Sequence, residues 1–137
     1  MKAIIKMRLE QSIDGEKEVT ETTYYGLMRQ WGEDRVLVNF KDESGTHQEM
    51  EINVQEERVI VTRNREADNK VMYGPGEKCS IVFRSEVGSM DLTFVTKAVQ
   101  IDTMQDGAYS VRLVYEIRQY DSCISENIVE MFITVAI

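Results

Sequence analysis

The sequence predicts an all-β fold for three reasons: apolar and polar residues alternate in short stretches, turn-forming clusters separate these stretches, and no stretch keeps a helical period. The clusters contain residues that tolerate positive φ, which tight hairpins between antiparallel strands require. They are Asp14-Gly15, Gly32-Glu33-Asp34, Ser44-Gly45, Gly74-Pro75-Gly76, Val87-Gly88 and Asp106-Gly107. We therefore expect antiparallel strands along the whole chain.

The first four strands are expected at residues 3–11, 17–31, 35–41 and 47–54. Their residues alternate in polarity or are of the Thr and Tyr types that favour extended backbone. Gly26 lies inside the second strand and predicts a bend or a bulge there, because glycine within a strand often marks a distortion. The third and fourth strands are predicted to form a hairpin over residues 42–46.

The later strands are expected at residues 58–63, 69–73, 79–84, 89–101, 109–117 and 129–137, with a polar connection at residues 64–68. In the strand that begins at residue 89 the apolar positions change parity. Met90, Leu92 and Phe94 are even, whereas Val99 and Ile101 are odd. A shift of one residue turns every following side chain to the other face, so we predict a bulge near residues 97 and 98.

Strands joined in sequence order by short turns form a meander, and an open meander of this length would expose two long edges. Closure removes both edges. We therefore predict a single antiparallel up-and-down β-barrel of about eight to ten strands, whose interior is either filled by side chains or large enough for one small ligand. A β-sandwich is the alternative architecture.

The chain has 137 residues, of which 42% are hydrophobic, as in one ordinary domain, and we expect residues 1–137 to form that domain. Cys79 and Cys123 belong to no C-x-x-C motif, which favours a reducing compartment, although a bridge between them stays open. Charges interrupt the first residues too often for a signal peptide or a membrane span. We expect a soluble cytoplasmic protein that does not associate with membranes.

The formal charge is −8, from 24 acidic and 16 basic residues, and no run of Lys or Arg interrupts this excess. Such a surface repels phosphate backbones, so nucleic acid is not an expected partner. The acidic residues alternate with apolar ones at strand spacing, which is typical of the solvated face of a sheet.

Several segments of the chain together resemble one known family. They are Ile13-Asp14-Gly15-Glu16, Thr23-Tyr24-Tyr25-Gly26, Arg58-Val59-Ile60-Val61-Thr62-Arg63, Ser85-Glu86-Val87-Gly88-Ser89-Met90, Thr96-Lys97-Ala98-Val99-Gln100-Ile101 and Val114-Tyr115-Glu116-Ile117. In these segments the chain is similar to the YwiB-like family of small, uncharacterised bacterial proteins. The resemblance implies a calycin-like barrel that resembles the lipocalins, and, by analogy of fold alone, ligand binding.

No motif predicts a cofactor or a metal, and we expect neither. His47 is the only histidine and stands beside a turn, so one chain cannot hold a histidine pair for a metal. Cys79 lies on an apolar strand face, where it is expected to pack as a small hydrophobe, and Cys123 lies in a loop. Glu116 has outward parity.

Inward-facing methionine and tyrosine residues predict a possible ligand site. Methionine side chains adapt to irregular contents, and a buried tyrosine hydroxyl needs a hydrogen-bond partner, which can be a ligand or a neighbouring group. The candidate ligand-binding residues are Tyr25, Tyr73, Tyr109, Tyr115, Met50, Met90 and Met131, and Met7 shares the inward parity.

Three functions remain open on the sequence alone. The first is a barrel that binds a small, largely apolar molecule. The second is a solid barrel that acts as a protein-interaction or homodimeric scaffold module, for which Trp31, Val82 and Val114 are the candidate surface residues. The third is catalysis, which we do not expect; it would use Tyr115 as the acid or base, with its pKa lowered by arginine.

Overall fold

The computed structural model describes residues 1–64 and 70–136, with Ser85 described by its backbone only. Ten strands account for most of them: β1 (Lys2–Ile13), β2 (Glu16–Gln30), β3 (Arg35–Lys41), β4 (His47–Asn53), β5 (Arg58–Arg63), β6 (Lys70–Tyr73), β7 (Lys78–Ser85), β8 (Gly88–Thr103), β9 (Tyr109–Gln119) and β10 (Ser122–Val135). A single 3₁₀ turn at Gln105–Gly107 is the only helical element in the described part of the chain. The all-β prediction is confirmed. Asn69 and Ile137, predicted as strand residues, and most of the 64–68 connection lie outside the described residues.

The strands form one antiparallel sheet in the order β6-β5-β4-β3-β2-β1-β10-β9-β8-β7. Apart from β6 and β7, strands that are neighbours in sequence pair with each other, and β1 pairs with β10, so the first and last strands close one side of the barrel. The two ends of the order, β6 and β7, lie side by side: the Cys79 thiol donates to the Lys70 carbonyl at 3.6 Å. The predicted up-and-down barrel is confirmed as a nearly closed one, and the sandwich alternative is wrong.

The predicted bulge in β8 is confirmed. The register between β8 and β9 shifts between Thr96 and Ala98. Phe94 and Thr96 before the shift and Val99 after it all face the interior, where they are buried or half-buried. A second register shift, between Cys123 and Ser125 of β10, carries no comparable change of apolar parity.

Gly26 does not mark a bulge, because the β1–β2 register runs without a shift from Lys2–Leu27 to Ile13–Glu16. Its role is the close approach of two strands at the last rung of the β2–β3 ladder, where it pairs with Phe40. A Cβ atom at Gly26 would lie 2.0 Å from the carbonyl oxygen of Asn39. Only glycine fits at this position without displacing the β3 backbone.

One end of the barrel is filled by side chains. Its interior residues come from strands on all sides of the barrel and are almost completely buried: Ile5, Val38, Ile52, Val59, Val111 and Ile133. We call the part of the barrel interior that these residues occupy the filled end. Since branched aliphatic residues pack at the density of a crystal, this end supplies the stable core on which the other end is built.

Candidate binding pocket

The opposite end of the barrel interior holds a cavity of about 270 Å³, which opens beside the turn at residues 42–46. We call it the end pocket. Its walls come from eight strands, because every second residue of a barrel strand faces inward. The lining residues are Met7, Tyr24, Phe40, Asp42, Glu43, Gln48, Met50, Val61, Tyr73, Leu113, Tyr115, Val129 and Met131.

Aromatic rings form one wall of the end pocket. The rings of Tyr73 and Tyr115 lie 4.8 Å apart, and Phe94 packs at 6.2 Å from Tyr73 and 6.0 Å from Tyr115. On the other side, Tyr24 and Phe40 also lie 4.8 Å apart. Tilted and edge-on aromatic pairs at these distances stabilise one another beyond the area that they bury. The wall is therefore held in a fixed arrangement by contacts within the protein.

Tyr73 and Tyr115 lie side by side in this wall. Burial raises the pKa of both phenols, because it disfavours the charged phenolate. The expected lowering of the Tyr115 pKa by arginine is wrong, since burial is the largest cause of its shift and acts in the opposite direction. At neutral pH Tyr115 is therefore a protonated phenol.

Two acidic residues stand at the rim of the end pocket. Asp42 accepts hydrogen bonds from the backbone N–H of Ser44 and Thr46, from the Ser44 hydroxyl and from the Gln48 amide. Partial burial alone would raise the pKa of Asp42, but these hydrogen bonds outweigh it and lower the pKa below its usual value. The rim is thus a rigid, negatively charged turn.

Tyr24 connects the aromatic wall to this rim. Its hydroxyl donates to Oε2 of Glu43 at 2.7 Å. Burial, followed by this hydrogen bond and the negative charge of Glu43, raises the pKa of Tyr24 to about 12. The phenol therefore stays protonated and keeps its ring beside Phe40 over the whole physiological range.

The structure brings four of the seven predicted binding residues together in the end pocket: Tyr73, Tyr115, Met50 and Met131. Tyr109 is half-buried and packs against the core, but it does not line the pocket. Whether any of the four contacts a ligand stays a prediction.

The expected inward orientation of Tyr25 is wrong, since its side chain is 74% exposed on the outer face of β2. Neighbouring strand residues point to opposite faces, and here Tyr24 is the inward one. The polar, threonine-rich start of β2 gives no apolar alternation, which left the two tyrosines indistinguishable. Met28, buried on the same parity as Tyr24, is the signal that distinguishes them.

The prediction that Met90 lies in the barrel interior is also wrong. It has interior parity, but it is 41% exposed near the tip of the β7–β8 hairpin, opposite the equally exposed Phe83. Strand parity gives the face of a sheet and not the height along a barrel, so it cannot separate the tip of a hairpin from the core.

Sequence reasoning missed the remaining pocket residues for two reasons. Phe40, Val61, Leu113 and Val129 share the inward parity of their strands, but nothing in the sequence shows which inward positions border a cavity. The rim residues, Asp42, Glu43 and Gln48, belong to a polar hairpin end and have no apolar signal at all.

A second group of chemically active side chains lies on the outside of the barrel. Ligand atoms of Glu116, Cys123 and Glu126 lie within 4.8 Å of one another. Glu116 already pairs with Arg118 at 3.1 Å and with Lys97 at 3.7 Å, so its charge is compensated by protein cations. Cys79 and Cys123 are both free thiols.

The chain matches the family model described as "Domain of unknown function (DUF1934)" over residues 5–131 and therefore belongs to that family. Among solved structures it is similar to the crystal structure of the ywiB protein from Bacillus subtilis, with a TM-score of 0.80 and 15% sequence identity over 99% of this chain and 92% of that chain. The resemblance to the YwiB-like family is thus confirmed, and at this identity the likeness shows the fold. No curated protein matches the chain. The described residues contain no helix long and apolar enough to cross a membrane.

Proposed function

We propose that this protein binds a small, largely apolar molecule in the end pocket. The observation that carries the proposal is the contrast between the two ends of one barrel: six aliphatic side chains fill one end, whereas the other leaves about 270 Å³ between apolar walls. Ligand sites in proteins are mostly apolar concavities of this kind with a few polar groups. A volume near the lower limit of such sites favours a molecule of one or two rings, or a short chain.

The composition of the walls supports the same proposal. Three methionines, Met7, Met50 and Met131, line the pocket together with the rings of Tyr73 and Tyr115. Methionine has a flexible, polarizable side chain that can follow the outline of a ligand, whereas the aromatic wall is held by its ring contacts. One adaptable wall and one fixed wall suit a binding site better than a solid core.

The test uses N-phenyl-1-naphthylamine, a neutral apolar dye whose fluorescence rises in apolar surroundings. Saturable binding to the wild type is expected, with loss of binding in Val61→Trp, which places a larger side chain in the end pocket. Val82→Trp is the matched control, since Val82 is exposed on the outside of the barrel. Circular dichroism checks that both variants fold. Equal binding by the two folded variants, or no binding by the wild type, contradicts the proposal.

An exposed apolar strip supports a second candidate function, a protein-interaction module. Tyr25 and Leu27 are exposed on the outer face of β2, and together with the exposed Met1 they line a shallow groove of about 700 Å³. Arg29 and Lys41 line the same groove, in a chain whose net charge is −8. This charge pattern fits a protein segment that alternates acidic and apolar residues.

The surface residues chosen from the sequence agree with this strip only in part. Trp31 is exposed at the end of β2, with the Arg35 guanidinium 5.6 Å from its ring centre, and Val82 is exposed on β7. Val114 is half-buried and therefore a poor anchor.

The interaction candidate is tested with a synthetic peptide of alternating glutamate and phenylalanine residues. Binding measured by fluorescence anisotropy is expected for the wild type and for Val82→Glu, and it should be lost in Leu27→Glu. Light scattering after size exclusion tests the homodimer alternative: a wild-type dimer would have twice the monomer mass, and Leu27→Glu should have the monomer mass. A wild type that is monomeric and does not bind the peptide contradicts this candidate function.

A further inference from the structure

The polar groups that line the end pocket can be sorted by the hydrogen bonds that they already make. At the rim, the Gln48 amide donates to Asp42 at 3.0 Å and the Tyr24 hydroxyl donates to Glu43 at 2.7 Å. The Tyr24 hydroxyl and one N–H of the Gln48 amide are therefore occupied by neighbouring residues. The two other donors that line the pocket are the hydroxyls of Tyr73 and Tyr115.

The two tyrosines differ in their exposure. Tyr73 is buried, with 8% of its surface exposed, whereas Tyr115 is half-buried. Both line the end pocket, and their ring centres lie 4.8 Å apart. The more exposed phenol, Tyr115, is therefore the better placed of the two to donate to a bound molecule.

A buried hydroxyl without a partner lies beside Tyr115 in the sheet. Thr96 pairs with Tyr115 in the β8–β9 register. Thr96 is 2% exposed, and its Oγ1 has no hydrogen-bond partner among the described residues. Buried hydroxyls are normally paired, but Thr96 does not line the end pocket, so the hydroxyl groups that face the pocket at this wall are those of the two tyrosines.

The charges around the pocket limit what that group can be. Asp42 and Glu43 stand at the rim, and no Lys or Arg is among the lining residues. An anionic ligand would meet two carboxylates without a counter-charge. A cation would pair with these carboxylates at the rim, and it would lose both that pairing and its hydration if it entered the apolar walls. Both kinds of ion are therefore disfavoured.

We infer that the end pocket selects a neutral molecule with one hydrogen-bond acceptor, such as a ketone, ester or amide carbonyl, and that Tyr115 donates to this acceptor. The inference rests on the proposed binding function and names the class of ligand. Tyr115 is the residue that determines specificity, whereas the methionines and aromatic rings supply contact area.

A matched pair of compounds tests the inference. The ketone 2-acetylnaphthalene and the hydrocarbon 2-ethylnaphthalene have nearly the same shape and differ in the acceptor. Dissociation constants are measured by displacement of N-phenyl-1-naphthylamine. We expect the wild type to prefer the ketone about fivefold to tenfold, the value of one net hydrogen bond. In Tyr115→Phe the preference should fall to about one while the affinity for the hydrocarbon is unchanged.

Tyr73→Phe is the matched control, because it removes the same atom from the adjacent ring and leaves the Tyr115 proton in place. It should keep the preference for the ketone. If Tyr73→Phe loses the preference and Tyr115→Phe keeps it, the donor has been assigned wrongly. 2-Naphthoate tests the requirement for neutrality: binding as tight as that of the ketone would overturn it.

The possible failures of the inference and of the proposed function can be told apart. If the dye and both naphthalenes bind the wild type but the ketone has no advantage, the inference is overturned and the proposed function stands. If neither the dye nor the naphthalenes bind, the proposed function fails and the inference fails with it.

Discussion

Adjacent tyrosines in β2 have opposite environments, and this difference arises from strand geometry alone. The ring of Tyr24 packs 4.8 Å from Phe40 and its hydroxyl binds Glu43, whereas Tyr25 faces outward on the groove with Leu27. Since successive strand residues point to opposite faces, one position of sequence separates a pocket residue from a surface residue. Predicting which residues face the interior of a barrel therefore requires the correct strand parity at every position.

Tyr24 should titrate at a higher pH than a free tyrosine. Its pKa in the folded protein is about 12, against an ordinary value near 10. Because the folded state favours the protonated phenol, Tyr24 stabilises the fold below pH 10, and that contribution is lost as the pH rises from about 10 towards 12. The absorbance of phenolate is measured in the wild type and in Tyr24→Phe, and the difference curve should have its midpoint near 12. Glu43→Ala should move that midpoint down, and a midpoint near 10 in the wild type contradicts the prediction.

Gly26→Ala should destabilise the barrel strongly. The new Cβ atom would lie 2.0 Å from the Asn39 carbonyl oxygen, so the two strands must separate at that rung. We expect a loss of about 3 kcal/mol or more in the free energy of unfolding, measured by urea denaturation.

Gly15→Ala is the control for this substitution. A Cβ atom at Gly15 meets no atom within 4 Å, although its φ of +80° makes any L-residue unfavourable. The loss there should be about 1–2 kcal/mol, the cost of the left-handed conformation alone. If Gly26→Ala costs no more than Gly15→Ala, close strand approach is not the reason for the glycine.

At the level of elements, the hairpins and the β8 bulge could be predicted because both depend on local sequence. Turn residues give the hairpins, and the change from even to odd apolar positions between Phe94 and Val99 gives the bulge. The gap between β6 and β7 could not be predicted. It depends on how far the whole sheet curls, and the residues at that gap alternate like those of any paired strand.

The β6–β7 gap is bridged by side chains. Arg58 Nη2 lies 2.6 Å from Glu77 Oε1, which ties β5 to the segment before β7, and the Cys79 thiol reaches Lys70. Amides in β6 and β7 should therefore exchange hydrogen faster than those in β1 and β10, which are paired on both sides. Hydrogen exchange with mass spectrometry measures this difference.

The same measurement on Glu77→Gln shows whether the ion pair matters to the gap. We expect faster exchange in β6 and β7, because the charge-assisted hydrogen bond from Arg58 is weakened. Glu116→Gln is the control, since it weakens an ion pair with Arg118 on β9 and should leave β6 and β7 unchanged. Equal effects of the two substitutions would show that Glu77 has no special role at the gap.

For the whole molecule, the barrel interior consists of the filled end and the end pocket. Alternation along β4, β9 and β10 made Met50, Tyr115 and Met131 predictable as inward residues, and Tyr73 was predicted to join them. The position of the cavity could not be predicted, because it is the volume left over after the filled end packs. The volume of the cavity depends on how all ten strands pack together, and no single strand carries a sequence pattern that predicts it.

Ile5 and Met7 provide a direct comparison of the two ends, since they are two residues apart on the same face of β1. Ile5 is completely buried at the filled end, whereas Met7 is half-buried and lines the end pocket. Ile5→Ala should lower the free energy of unfolding by about 2–5 kcal/mol, because it leaves a hole in a packed core. Met7→Ala should cost less than about 2 kcal/mol, because its site is already open on one side.

The binding of N-phenyl-1-naphthylamine should respond in the opposite order. Met7→Ala truncates a side chain that lines the end pocket, so the affinity for the dye should fall several-fold. Folded Ile5→Ala should bind the dye with the affinity of the wild type. Urea denaturation and dye titration on the same two variants give both measurements. If Met7→Ala costs as much stability as Ile5→Ala and leaves the dye unaffected, the two ends of the barrel do not divide stability and binding between them.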